Sequence, residues 1–416
     1  MSQDIFVRID KEEMGECIMQ FVKTEDLKPG MRLAKPIYNR LGVLLYERNT
    51  KLTPQGIASI RKFSIIGIYI LEPAEPLPPL SEEEIQFEKF QTVYMFRLRD
   101  EYAKIAKGEQ PDKLYDLCTH ILREYGNLNH QIAFSQNIRS SGDFLYKHGL
   151  SVAILCAMIS HKLGFAYEEQ LALVEAALLY DLGYLYLDSD KITDTEDPDS
   201  EDYAQLCAAR QKALLLLRPQ NNEYNLPKLT LKTISEMTHP SNHKDHAEVL
   251  KKTWGMPTLV LRVADRFDQI TAMRYGSEPQ SEVQAVNYLM KYPDFYKPDI
   301  VRALSDCIHI LPQGACVDLS DGEKAMILES NPVNFLQPLV LKFSDNKIYD
   351  LGDPKVHEEL QIVDIMKTMD NRISIDEETL KQFKADKHIV ELANRFRKAK
   401  AKIARKLRKT APPTLK

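Results

Sequence analysis

A carboxylate stands where an apolar helix calls for a hydrophobic side chain. Leu171, Val174 and Leu178 share one helical face, and Asp181 continues that stripe at the next i+3 step. A carboxylate on the core side of a buried helix is costly unless a cation or a hydrogen-bond donor meets it. The fold must therefore bring a partner to Asp181.

The best candidate lies upstream. His148 opens a helical stretch with Val152, Leu155 and Ile159 at i+4, i+7 and i+11, and Gly164 is placed to end it. Two antiparallel helices joined at Gly164-Phe165 bring His148 beside Asp181 at the same end of the hairpin. The text around the aspartate is Ala177-Leu-Leu-Tyr-Asp-Leu-Gly-Tyr184. Downstream stands Val263-Ala-Asp-Arg-Phe-Asp-Gln-Ile-Thr271, with Arg274 shortly after it.

These motifs resemble the HD-GYP branch of the HD metal-dependent phosphohydrolases, where a helix-opening His is followed by Ala-Leu-Leu-His-Asp-Ile-Gly-Lys and later by Val-Ala-Asp-x-Phe-Asp-Ala-Leu-Thr. The resemblance covers roughly residues 20 to 350. It implies an all-α HD-type helical core and a cage of His and carboxylates. Such a cage holds two or three metal ions, which neutralise the scissile phosphate of cyclic di-GMP and activate a bridging water. Carried over position by position, it makes His148, Asp181, His239 and Asp265 the residual metal-ligand candidates and Arg274 a candidate ligand-binding residue. Other family positions hold different residues here. Phe144 stands one turn before His148 where an acid is expected, and Tyr180 replaces the signature His. Tyr184 replaces the Lys that meets phosphate, Ala209 the downstream His, and Thr238 the first of the paired His. No Gly-Tyr-Pro follows Thr238-His-Pro240. A phenol must lose a proton with an ordinary pKa near 10 before it binds a hard cation well. The residual set leaves either no metal or a single divalent ion, iron, manganese or zinc.

A second metal pattern competes. His239, His243 and His246 fall at i, i+4 and i+7, one face of a helix if the helix includes all three. Pro240 reads as a helix start, which leaves His239 outside it.

The remaining text sets the organisation as multidomain and mainly α. Residues 1–73 read as a small α+β regulatory or docking module. Its parts are a strand near Phe21, a short strand at Gly42–Tyr46, a helix from Thr53 to Phe63 and a strand from Ile65 to Leu71. Residues 74–81 form a proline-rich linker ending in the helix-start signal Ser81-Glu-Glu-Glu84. Helical text fills 82–310, interrupted by an acidic loop from Asp188 to Asp202. Strand text follows as a small β appendage over 311–352, with Asp321-Gly322 as a hairpin turn. A helical tail, 353–416, carries a basic cluster over 395–409 with a patchy apolar stripe from Ile389 to Leu407, suited to a partner, an anionic lipid surface or nucleic acid, or else to a solvated helix capping the fold.

Composition excludes little but is consistent. A net charge of −5 with 44% hydrophobic residues gives no global affinity for nucleic acid. Six cysteines without a C-x-x-C pair suit buried thiols in a reducing cytoplasm. The resemblance implies a bacterial signalling protein whose partners are cyclic di-GMP or a signalling protein such as a diguanylate cyclase, with a homodimer as an open assembly. Two functions follow from it: a degenerate member acting by nucleotide or protein binding, or a working metal-dependent phosphodiesterase.

Overall fold

The computed structural model describes residues 18–33, 36–38, 44–47, 50–62, 67–72, 81–134, 139, 142–187, 201–217, 226–238, 254–272, 280–331, 334–345 and 347–365. The chain divides into two compact units, Met1–Leu80 with Met366–Ser374, and Ser81–Ile365 with Ile375–Lys416. The described residues are mainly helical, with eleven α-helices and small antiparallel sheets.

In the first unit, strand β1 (Ile18–Lys23) pairs antiparallel with β5 (Gly67–Glu72), and β5 pairs with β2 (Arg32–Leu33). A two-stranded ribbon, β3 (Ile37–Tyr38) with β4 (Leu44–Tyr46), and one helix, α1 (Pro54–Lys62), complete it. Alternate residues of β5, Ile68 and Ile70, turn inward to meet Leu33, Ile57 and Ile60, a core of its own. The strand–helix–strand order expected for the α+β module is present, with ends shifted by one or two residues.

The second unit is built around a helix that is apolar all round. Helix α4 (Phe144–Lys162) buries every residue from His148 to Ser160, so it has no solvent face and must lie at the centre of a bundle. By length and composition it is also apolar enough to cross a membrane, but 83% of that window is buried inside the protein. Around it pack α2 (Glu82–Ala106), α3 (Leu114–Tyr125), α5 (Tyr167–Leu179), α8 (Met256–Thr271) and α10 (Pro298–Ser305). Helices α6 (Glu201–Leu216), α7 (Lys228–Met237) and α9 (Glu282–Lys291) complete the helical layer.

Local signals set the helix ends. Ser81 and Glu84 form a reciprocal capping box at the start of α2, satisfying two otherwise orphaned amides. Gly164, at φ +75°, ends α4: its own amide donates to the His161 carbonyl and that of Phe165 to the Ser160 carbonyl. Helix α4 begins one turn earlier than expected, because Phe144 and Leu145 are themselves buried and extend its apolar surface. His148 therefore sits in the second turn rather than at the helix start.

The chain closes in a five-stranded antiparallel sheet of order β10-β6-β7-β8-β9. Its strands are β6 (Cys316–Leu319), β7 (Lys324–Glu329), β8 (Leu339–Lys342), β9 (Lys347–Asp350) and β10 (Ile362–Ile365). The β6–β7 hairpin turns at Asp321-Gly322 as expected, with Gly322 at φ +82°. Two expectations shift. The text from Leu311 to Ala315 is not strand: Pro312 lacks an amide proton and Gly314 turns at φ +85°, and just before it Ile308 makes an isolated bridge to Ile132. The sheet also runs beyond residue 352, since β10, reached through the short helix α11 (Pro354–Glu359), adds an edge strand beside β6. Val317, Ala325, Ile327 and Val340 join the helical core, so this sheet is part of the same core.

Candidate metal centre

The antiparallel pairing of α4 and α5 across the Gly164 turn brings the two expected residues together. His148 Nε2 lies 3.2 Å from Asp181 Oδ2, at the point where α5 gives way to a 3-10 helix, Leu182–Tyr186. Helix α8 delivers Asp265 to the same nitrogen, with Oδ1 at 3.1 Å. The three residues offer ligand atoms that all lie within 4.8 Å of one another, a triad with the donors for a metal ion.

Four further side chains complete the cluster, and three of them are charged. Asp268, one turn after Asp265 on α8, accepts from His148 Nδ1 at 2.6 Å. Arg139 grips the same carboxylate with both terminal nitrogens, at 2.5 and 2.6 Å. Arg210, from α6, donates through Nε to Asp181 Oδ1 at 2.6 Å, and its NH2 group reaches the same oxygen. The Tyr180 hydroxyl donates to Asp265 Oδ1 at 2.8 Å and lies 2.7 Å from His148 Nε2. Phe144 stands one turn before His148, and its ring lies parallel to the His148 imidazole at 5.3 Å between centroids.

Electrostatics follow from burial. Desolvation alone pushes the His148 imidazole down, but the Asp181, Asp265 and Asp268 carboxylates outweigh it and raise its pKa to about 10. Desolvation likewise pushes the Asp268 carboxyl up, and Arg139 with His148 more than reverses this, holding it well below the usual range. Asp181 is also held low against desolvation, first by Arg210 and then by His148. Burial, with Asp181 and Asp265 nearby, pushes the Tyr180 phenol far up, so it remains a neutral donor. With His148 protonated, three cationic groups face three carboxylates, and the cluster is charge-balanced from its own side chains. Only Asp265 keeps appreciable exposure, 14% of its side chain, against 0% for His148 and 2% for Asp181.

This arrangement bears on which metals the residues fit. A pair of ions held close together repel strongly and need many anionic ligands, whereas one imidazole and two carboxylates supply three ligands. The triad suits one ion at most. That ion competes with the His148 proton and shares Asp181 with a guanidinium. One observation favours it: Asp181 Oδ2 is buried and accepts no well-aligned hydrogen bond.

The other expected positions divide clearly. Tyr184 is buried in the 3-10 helix against Phe144 and points no amine at the cluster. Ala209 is buried on α6, one residue before the arginine that reaches Asp181. Thr238 caps α7 and donates its hydroxyl to the Ser235 carbonyl at 2.8 Å. His239, His243, His246 and Arg274 lie outside the described residues, as do the acidic stretch 188–200 and the basic cluster 395–409.

Sequence reasoning missed Arg139, Arg210 and Asp268. A signal existed for Asp268, which lies seven residues from Leu261 and four from Ala264, as much a carboxylate on a core stripe as Asp181. Arg210 lies beside the counted position Ala209 but has no local mark of its role. Arg139 stands in irregular chain where no periodicity applies. No family model matches the chain, and searches of curated proteins and of solved structures gave no match either.

Proposed function

We propose that this chain is a degenerate HD-GYP-like protein of bacterial cyclic di-GMP signalling that has given up phosphodiester hydrolysis and acts in the cytoplasm by binding nucleotide or protein. One observation carries the reading: Arg210 occupies Asp181. In a hydrolase of this class, bound cations neutralise the scissile phosphate and lower the pKa of a bridging water. Here the carboxylate that such chemistry requires is committed to a guanidinium from the same chain, in a site closed to solvent apart from Asp265. Tyr180 and Phe144, in place of a His and an acid, support the same conclusion, because neither contributes a charged ligand at neutral pH. What the chain keeps is the framework: a rigid charged knot joining α4, α6, α8 and the end of α5.

The second reading, a phosphodiesterase working with a single ion on His148, Asp181 and Asp265, is favoured by Asp181 Oδ2, which is buried without a well-aligned hydrogen bond. Metal content and turnover separate the two. Protein purified anaerobically without chelator is expected to carry well under one equivalent of iron, manganese or zinc, and to leave cyclic di-GMP intact when manganese is added. About one ion per chain, lost in Asp265→Ala together with measurable hydrolysis, would establish the second reading instead.

A further inference from the structure

The closing sheet carries apolar side chains on both faces, and among the described residues the helices pack on one of them. Register separates the faces. Val317, Ala325, Ile327 and Val340 lie opposite one another and enter the helical core. On the other face Cys316 pairs with Met326, Met326 with Leu341, and Leu341 with Ile348. Met326, Leu328, Leu339 and Leu341 form a separate apolar cluster there, and the partly buried hydrophobic side chains packed on it are Phe343 and Ile348, both from the sheet region itself. Antiparallel sheets commonly leave such a face to water with polar residues on it. Here Leu339 is 1% exposed and Leu341 6%, in a single chain with no partner. The face is thus shielded from water, and among the described residues the hydrophobic side chains packed on it come from the sheet region itself.

The charge of the sheet region says what kind of segment fits. From Cys316 to Ile365 there are ten Asp and Glu against four Lys and no Arg. Asp318 and Asp350 lie on the outer face itself, by their pairing with Lys324 and Leu339. Lys387 to Lys409 has the opposite character, with ten Lys and Arg against one Glu. Within it Ile389, Leu392, Phe396, Ala399, Ile403 and Leu407 recur at three- and four-residue spacing, the pattern of one helical face. This stretch follows β10, the edge strand of the sheet, after 21 residues, enough to reach about 70 Å if extended.

We propose that the basic segment Lys387–Lys409 seats its apolar stripe on the outer face of the sheet, with its lysines and arginines ringed by the acidic residues of the sheet region. The tail is thereby an internal partner, and its positive charge is spent within the molecule rather than offered to nucleic acid or anionic lipid.

Two measurements on the full-length protein test this. In a mixture of unlabelled and nitrogen-15-labelled protein, a zero-length carbodiimide cross-linker is expected to join tail lysines to Asp or Glu of 318–350 within one chain. Hydrogen exchange of β7 and β8 is expected to quicken about tenfold or more in a Phe396→Asp/Leu407→Asp variant, while α4 and α5 stay protected and report that the unit remains folded. Links that join labelled to unlabelled chains would overturn the proposal in favour of a second copy on this face. Unchanged exchange in β7 and β8 of the folded variant would overturn it outright.

Discussion

Arg210 is the residue on which the character of the site turns, because it pairs with Asp181, one of the three residues with the donors for a metal ion. A buried carboxylate stripped of its cation retains the full desolvation cost without compensation, a loss of about 3–5 kcal/mol when one partner is removed. Arg210→Met is therefore expected to lower unfolding stability by about that amount in urea titrations. The double change Asp181→Asn/Arg210→Met should recover most of the loss, since no unpaired charge remains. A single variant as stable as the parent would mean that water or an ion already serves Asp181. The titration of His148 makes a second prediction. Its pKa rises from an ordinary 6.5 to about 10 on folding, so the stability it supplies is fully present below about pH 6.5 and is lost as pH climbs toward 10. Asp181 and Asp268 shift downward, so their contribution is present above the ordinary value of 3.8 and is lost as pH falls below it. A stability plateau between about pH 4 and 6.5 is expected, with an alkaline limb no steeper than about 1.4 kcal/mol per pH unit for this one group. Denaturant midpoints from pH 6 to 9.5 measure that limb, and His148→Gln should flatten it.

At the scale of elements, the approach of α6 to the 3-10 helix decides whether Arg210 reaches its target. Gly183 lies in that contact, and a Cβ at this position would stand 2.5 Å from the backbone nitrogen of Arg210 and 2.8 Å from the Ala209 carbonyl carbon. Backbone cannot yield as a flexible side chain does, so Gly183→Ala must push the two elements apart. Overpacking of this kind costs about 1–3 kcal/mol. The guanidinium–carboxylate contact should loosen with it, and the amides of α6 should exchange faster than those of α4. Equal protection of α6 in the variant and the parent would show that the contact adjusts without opening. The same contact explains what the sequence could and could not reveal. Helix ends marked by local chemistry were legible: the Ser81–Glu84 box, the stop at Gly164, the turn at Asp321-Gly322. The meeting of His148 with Asp181 was legible too, because a short turn between two helices leaves few places for their ends. Arg210 and Arg139 were not, since each meets its carboxylate through the packing of elements far apart in the chain, and an arginine in helical text looks the same whether it faces water or a buried acid.

At the scale of the whole molecule, the described hydrophobic side chains of the two units fall into separate main cores. Leu33, Ile60 and Ile70 belong to the core of the first unit, and Leu155, Leu173 and Val263 to that of the second. Cooperativity extends as far as a shared core does, so a chain with two such cores need not unfold in one step. Calorimetry of the full chain is expected to resolve two transitions, with the larger enthalpy belonging to the unit that holds α4. Truncating a buried aliphatic side chain costs about 2–5 kcal/mol through lost transfer energy and the cavity left behind. Placed in one core, that loss should be felt in one transition only. Ile60→Ala is expected to lower the smaller transition and Leu155→Ala the larger, each by several degrees, with the other unmoved. If both variants shifted a single merged transition, the two units would unfold as one cooperative whole.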